Sequence, residues 1–487
     1  MNTVILILYF TALGGLALYG LFGLLTFGLY WRHRHAKFPT PPLPVTLPAV
    51  TVQLPVFNEP FVVERLIHTA VALQYPADKL QIQVIDDSTD STTERAARWV
   101  AYYKEKGVNI SLVHRSQRNG FKAGALAEAL PQASGEFIAI FDADFQPQPD
   151  FLQQTIPHFA PSPRLGMVQT RWGHLNTPYS PLTQAQAIAL DKHFVMEQTV
   201  RHRASLFPKF NGAGGVWRRA CLEDAGGWES DTVCEDMCLS TRAVLRQWEC
   251  LFLNDVQSPA ELPTTISAYK SQQARWSKGS SQCLLKYGRT ITTAHQHTIL
   301  ARFYALMSMS AYSTNLFLIL LLLLQIPLLL LDFRFSPWML LFSLAGIGQP
   351  LLFVMSQRVL YRDWLWRLRH FPTMVLVAIG LAPNNVRAIF QAFLRRQHEF
   401  VRTPKQGNRT GTPLLELNFD WIFLVELSLA LYAWAGVFLA LRLGNYGPLF
   451  FLGSCALAFS GMVALNMREW RWHLKQEHRE TAVSPLP

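Results

Sequence analysis

The stretch Phe137-Ile-Ala-Ile-Phe-Asp-Ala-Asp-Phe145 decides how the chain is read: a short apolar run that stops on two carboxylates, Asp142 and Asp144. Similar runs, rich in β-branched residues, occur at 50–54, 82–85 and 110–113, and the second ends on Asp86-Asp87. Continuous runs of this length read as parallel strands buried on both faces. The segments between them, such as 59–73 and 91–106, carry helical patterning. Alternating strand and helix predicts an α/β unit with a mostly parallel sheet and right-handed crossovers over about residues 50–290. In such sheets ligands bind beyond the carboxyl ends of the strands. That is where Asp86, Asp87, Asp142 and Asp144 fall.

The rest of the chain has a different composition. Of 487 residues, 50% are hydrophobic and 16% charged, against about 25% charged in ordinary soluble domains. The deficit predicts membrane segments and excludes a disordered, collagen-like or disulfide-scaffold protein. The length allows roughly three units at about 150 residues each. The net charge of +11 would suit nucleic acid, a membrane surface or an anionic ligand. No paired C-x-x-C occurs among Cys221, Cys234, Cys238, Cys250, Cys283 and Cys455, so no zinc site is expected and the six are read as buried free thiols.

Residues 1–31 read as a transmembrane helix, 32–48 as a Pro-rich linker, 49–290 as the α/β domain, 291–480 as a helical bundle and 481–487 as a tail. Within the bundle the expected spans are about 305–331, 337–356, 421–441 and 448–466, each long enough to cross a hydrocarbon core of about 30 Å. Basic residues cluster at 32–37, 358–369, 395–409 and 468–475. The positive-inside rule places all four clusters in the cytosol with the α/β domain. Residues 372–394 are apolar but interrupted by Pro383, Asn384, Asn385 and Arg387, and read as a re-entrant or interfacial helix pair. The expected localisation is a multi-pass integral membrane protein, in the plasma membrane if bacterial and in the Golgi if eukaryotic.

Chemistry concentrates in the α/β unit. A D-x-D pair at a strand end suits a hard divalent ion bridging a diphosphate. Asn58-Glu59 follows the first strand, where a nucleobase or ribose would be gripped. Arg118, Asn119 and Lys122 precede a small-residue run, and cations beside a helix start suit phosphate. Glu235-Asp236 leads an amphipathic stretch and is either a helix cap or a general base. Gln272-Gln-Ala-Arg275-Trp276 offers a guanidinium for phosphate and a flat ring for a sugar.

Taken in order, Asp86-Asp87, Asp142-Ala-Asp144, Glu235-Asp236 and Gln272-x-x-Arg275-Trp276 resemble an inverting family 2 glycosyltransferase of the membrane polysaccharide synthase, cellulose synthase-like type. The wording Val52-Gln-Leu-Pro-Val-Phe-Asn-Glu59 and Gln83-Val-Ile-Asp-Asp-Ser-Thr-Asp90 resembles plant cellulose synthase-like A and C proteins in particular, the glucomannan and xyloglucan-backbone synthases. Phe400-Val-Arg-Thr-Pro-Lys405 resembles the gating loop of cellulose synthases, here over 399–407.

The resemblance implies a GT-A fold joined to a transmembrane bundle. It implies that Asn58, Glu59 and Asp87 hold the nucleoside. Asp142 and Asp144 would hold Mg²⁺ or Mn²⁺ on the diphosphate, and Lys122, Gln272, Arg275 and Lys405 would bind the donor. Asp236, with Glu235 beside it, would be the base, and Trp276 the acceptor platform. The implied partners are a nucleotide-sugar donor such as UDP-glucose or GDP-mannose, a polysaccharide or glycolipid acceptor, and membrane lipid, with no nucleic acid. Single addition to a lipid acceptor, and a channel whose cytosolic domain only binds nucleotide, are the alternatives.

Overall fold

The computed structural model describes residues 2–36, 39–334, 339–394 and 420–483. The expected gating-like loop 399–407, with Lys405, and the end of the tail lie outside them. Among the described residues seven strands form one sheet: β1 (Val50–Val56), β2 (Leu80–Asp86), β3 (Ile110–His114), β4 (Phe137–Ile140), β5 (Leu165–His174), β6 (Gly215–Arg218) and β7 (Glu249–Ala260). Their order is β3-β2-β1-β4-β6-β5-β7. All pairings are parallel except those of β6, which runs antiparallel to both β4 and β5. The mostly parallel α/β sheet expected from the apolar runs is present.

Val50, Val52, Leu54, Ile82 and Val84 pack into one buried cluster, while Ile85, Ile138 and Ile140 join a cluster on the opposite face. The amide donors of the glutamines inside the parallel strands are met. Gln53 Nε2 donates to Gln83 Oε1 at 3.0 Å, and Gln83 Nε2 to the Ala129 carbonyl at 3.3 Å. Buried amides paired along neighbouring strands avoid the cost of an unmet donor. Register places Val56 opposite Asp86 and Gln53 opposite Ile140. The loops that leave β1, β2 and β4 therefore emerge side by side at one sheet edge.

Among the described residues four helices are long and apolar enough to cross a membrane: Thr3–His33, Ser313–Leu330, Ile422–Arg442 and Leu449–Trp472. The span expected over 305–331 is divided, because the helix Ile299–Met309 ends and Ser313–Leu330 begins after a short break. The described part of the span expected over 337–356 is likewise divided, into the helices Leu340–Ala345 and Gly348–Leu360. Gly346, Gly348 and Pro350 weaken helix continuity there. The break also lets two backbones meet, since a Cβ on Gly348 would lie 2.1 Å from the Gly20 carbonyl oxygen of the first helix. Over 364–393 the chain makes a bent pair, Trp364–Gly380 and Ala382–Phe393, at 41°.

The expectation of six free thiols is corrected. Cys238 and Cys283 are paired, their Cα atoms 6.0 Å apart, where the helices Glu235–Leu245 and Ile266–Thr293 pack together. Tertiary packing, which sequence spacing does not report, brings them together. Cys221, Cys234, Cys250 and Cys455 are free and buried.

Candidate active site

The loops at the carboxyl edge of the sheet surround one cavity. Phe57 and Glu59 after β1, Asp87 after β2, Arg118 after β3, and Asp142 and Asp144 after β4 line it. So do Lys122, Gly212, Glu235, Asp236, Gln272, Arg275 and Trp276. Segments far apart in the chain meet here because parallel strands all end at the same edge.

The two acidic residues that end β2 have different surroundings. Asp86 is fully buried and accepts from Thr93 Oγ1 at 2.6 Å and from the Ser88 N–H at 3.0 Å, with His114 Nδ1 at 2.9 Å. It braces the loop. Asp87 lines the cavity and takes a two-pronged contact from Arg115, Nε to Oδ1 at 2.7 Å and Nη2 to Oδ2 at 2.6 Å. Arg115 also donates to the carbonyls of Asn119 and Phe121, so it sets the shape of the β3 loop. Arg118 lies over the Phe57 ring, 3.4 Å from its centroid. Burial pushes its guanidinium down to about 10, against the pull of Asp87.

Lys122 sits in the first turn of the helix Phe121–Ala129, which starts after left-handed backbone at Gly120 (φ +71°). Its ammonium donates to Asp142 Oδ1 at 2.5 Å and to the Gly212 carbonyl at 2.9 Å. Gly212 has φ +85°, and a Cβ there would meet Asp236 Oδ2 at 3.0 Å and Lys122 Nζ at 3.5 Å. Only a residue without a side chain lets this loop pass between the amine and the carboxylate.

Glu235 and Asp236 begin the helix Glu235–Leu245, and Asp236 Oδ1 accepts the Met237 N–H at 2.7 Å. Burial pushes the Asp236 carboxyl up to about 7, reinforced by Glu235 and opposed by Lys122. Burial likewise raises Glu235. An aspartate titrating near neutrality is matched to general-base work. Gln272, Arg275 and Trp276 stand at i, i+3 and i+4 on the helix Ile266–Thr293, hence on one face. Arg275 is held below its usual range by burial, with Asp142, Cys234, Glu235 and Asp144 acting to raise it.

Of the residues expected at the site, Glu59, Asp87, Lys122, Asp142, Asp144, Glu235, Asp236, Gln272, Arg275 and Trp276 share the cavity. Asn58 does not line it. Its amide oxygen accepts the Thr89 N–H at 2.8 Å, and its own N–H donates to Ser88 Oγ at 2.8 Å, tying the β1 loop to the β2 loop. Lys405 lies outside the described residues. Sequence reading missed Arg115, whose role depends on a partner in another loop, and Trp172 and His174 on β5, which no motif marks.

Among the described residues no group of three or more His, Cys, Asp or Glu side chains is arranged to hold a metal. Asp142 and Asp144 alone supply two hard anionic ligands. That set fits a divalent ion whose remaining positions are filled by diphosphate oxygens and water, as Mg²⁺ is commonly bound.

Residues 48–279 match the family described as "Glycosyltransferase like family 2". The chain is 41% identical over 273 residues to "Glucomannan 4-beta-mannosyltransferase 2" of Arabidopsis thaliana, covering 53% of this chain and 50% of that protein. It is 42% identical over 265 residues to "Glucomannan 4-beta-mannosyltransferase 1" of Cyamopsis tetragonoloba, again over 53% of this chain and 50% of that one. The chain thus spans about half the length of the curated relatives it matches. Among solved structures, the mannosyltransferase PcManGT from Pyrobaculum calidifontis, in complex with GDP-Man and Mn2+, is similar with a TM-score of 0.54 at 22% identity, over 79% of this chain and 100% of that one. That likeness is one of fold, the GT-A type.

Proposed function

Residues 48–279 belong to glycosyltransferase family 2, and from that premise we propose that this protein transfers a sugar from a nucleotide-sugar to the growing end of a β-linked polysaccharide. The observation that carries the reading is the convergence on one cavity of Asp87, Lys122, Asp142, Asp144, Asp236, Arg275 and Trp276. The relatives' names favour a mannosyl donor, so GDP-mannose stands ahead of UDP-glucose.

In this reading Asp87, braced by Arg115, and Glu59 hold the nucleoside. Asp142 and Asp144 hold Mg²⁺ or Mn²⁺, which when bound neutralises charge on the diphosphate leaving group. Lys122, Arg118 and Arg275 bind phosphate oxygens, with Gln272 beside them on the same helix face. The acceptor hydroxyl oxygen bonds to the anomeric carbon as the bond to the diphosphate breaks. The hydroxyl proton passes to Asp236, and the electron pair leaves with the diphosphate. One displacement at an α-linked donor gives a β-linkage. Trp276 supplies a flat face for the acceptor sugar. The apolar helices hold the catalytic domain at the cytosolic face of a membrane and pass the polymer across it.

Membranes carrying the protein, offered each labelled sugar nucleotide and then linkage-specific glycosidases, test the reaction. The expected result is a polymer cut by a β-mannanase, and a single sugar on lipid would replace the polymer reading. Asp144→Asn tests the metal site. Transfer is expected to be lost, along with the gain in nucleotide affinity that Mg²⁺ or Mn²⁺ provides. Unchanged metal dependence in the variant would count against the assignment.

A further inference from the structure

The cavity has a second wall that none of these roles uses. It comes from the carboxyl end of β5, where Trp172, Gly173 and His174 line the cavity, with Leu262 and Pro263 beside them after the neighbouring strand β7. His174 Nε2 lies 3.1 Å from Asp191 Oδ1, and the side chains are 4% and 1% exposed. The other carboxylate oxygen, Asp191 Oδ2, accepts from Gln357 Nε2 at 2.9 Å. Gln357 is fully buried and belongs to the helix Gly348–Leu360, outside the α/β domain. The aspartate is therefore held from two sides, and it holds the imidazole in turn.

A carboxylate on one ring nitrogen fixes a proton there and orients the ring. Nδ1 is then the remaining polar atom of a residue that lines the cavity, and it makes no hydrogen bond among the described residues. Nδ1 is not a fully buried atom: it reaches the cavity, where a ligand group can pair with it.

The position of β5 says which part of a substrate it meets. In the sheet order β3-β2-β1-β4-β6-β5-β7, Asp87 follows β2 and the D-x-D pair follows β4, so β5 lies on the far side of β4 from Asp87. Of the cations that follow β3, Arg118 stays on the Asp87 side over Phe57, whereas Lys122 reaches across to Asp142 after β4. Trp172 adds an aromatic body to the wall, with its Nε1 committed to the Ala213 carbonyl at 3.1 Å. An apolar surface with one polar acceptor is the chemistry that recognises a pyranose ring and one of its hydroxyls.

We propose that His174, oriented by the Asp191–Gln357 pair, hydrogen-bonds a sugar hydroxyl through Nδ1 and so sets which carbohydrate the cavity accepts. The inference rests on the glycosyltransferase reading. The hydroxyl belongs either to the donor sugar or to the terminal sugar of the acceptor.

Two substitutions separate this from a bracing role. His174→Asn keeps a polar atom near the place of Nδ1 and gives up the Asp191 contact. His174→Gln reaches Asp191 and gives up the polar atom at Nδ1. Both full-length variants are compared with the unaltered protein for nucleoside diphosphate affinity, sugar-nucleotide affinity and acceptor oligosaccharide KM. His174→Gln is expected to weaken one sugar-dependent constant about tenfold, the loss of one hydrogen bond, with His174→Asn weakening it less. Nucleoside diphosphate affinity should hold in both. A change in sugar-nucleotide affinity assigns the hydroxyl to the donor, and a change in acceptor KM assigns it to the acceptor. Three results would overturn the proposal: both variants matching the unaltered protein, His174→Gln outperforming His174→Asn, or both losing nucleoside diphosphate affinity. An unaltered protein that transfers no sugar from any nucleotide sugar overturns the proposed function, and this inference with it.

Discussion

Asp236 shows how much a single residue owes to its surroundings. In water an aspartate is a weak base at neutral pH, but burial and the adjacent Glu235 lift it to about 7 while Lys122 holds it from rising further. The sign of the pH dependence follows. A base must be unprotonated, so kcat/KM should climb as pH rises through about 7 and fall below it. Asp236→Asn should remove that limb and lower turnover by about 10²–10⁴-fold, with nucleotide affinity kept within a few-fold. A rate–pH profile flat through neutrality in the unaltered protein would remove the assignment. The acidic motifs themselves were legible in the sequence, because a strand followed by a carboxylate leaves a local trace. Their partners were not. Arg115 on Asp87 joins positions 28 residues apart, and Lys122 on Asp142 joins positions 20 apart. Such pairings exist only once parallel strands have brought their loops to one edge.

Among the elements, the helix Ile266–Thr293 has the most to position, since it carries Gln272, Arg275 and Trp276. The first N–H groups of a helix have no partner within it. Here Thr265 Oγ1 accepts the Ala268 N–H at 3.3 Å, and the Glu469 carboxylate takes the N–H groups of Ile266 and Ser267. Glu469 comes from the helix Leu449–Val483, so a carboxylate 203 positions away supplies the negative charge favoured at a helix N-terminus. Glu469→Ala should lower stability by about 1–2 kcal/mol, the cost of a lost cap. Glu469→Gln should cost less than half of that, because it keeps an acceptor. The first unfolding transition in detergent measures both, and equal losses would show that packing rather than capping is at stake. The parallel strands β1 to β4 were readable because each is short and mostly apolar, with polar residues such as Gln53 and Gln83 only at isolated positions. β5 was not, because Gln169, Thr170 and Arg171 interrupt it, although all three are buried. Thr170 Oγ1 bonds the Gly214 carbonyl at 2.7 Å, Gln169 Nε2 the Ala213 carbonyl at 3.1 Å and Arg171 Nε the Asn254 carbonyl at 2.9 Å. Polar residues satisfied by a neighbouring chain segment erase the apolar signal without weakening the strand.

On the scale of the whole molecule, the catalytic helix and the apolar helices are joined by charge. Lys270 pairs with Glu426 at 2.6 Å, and Asn466 Nδ2 donates to Glu426 at 2.8 Å. Glu426 lies near the start of the helix Ile422–Arg442, and Asn466 and Glu469 lie in the later part of Leu449–Trp472. Both ends of this hairpin are therefore fastened at the catalytic domain. From Glu426 to Arg442 a helix rises about 24 Å, and from Glu469 back to Leu449 about 30 Å, at about 1.5 Å per residue. The connection at 443–448 thus stands a hydrocarbon thickness, about 30 Å, from the catalytic helix. If the pair crosses a membrane, that connection lies on the side opposite the active site. A cysteine placed by Tyr446→Cys should react with an impermeant thiol reagent in intact bacterial cells. One placed by Lys104→Cys, on the exposed side of the helix Thr92–Glu105, should react only after the membrane is opened. The native cysteines are buried or paired and need not be removed. Labelling of both positions only after opening would mean that this hairpin does not cross, and would take with it the route proposed for the polymer.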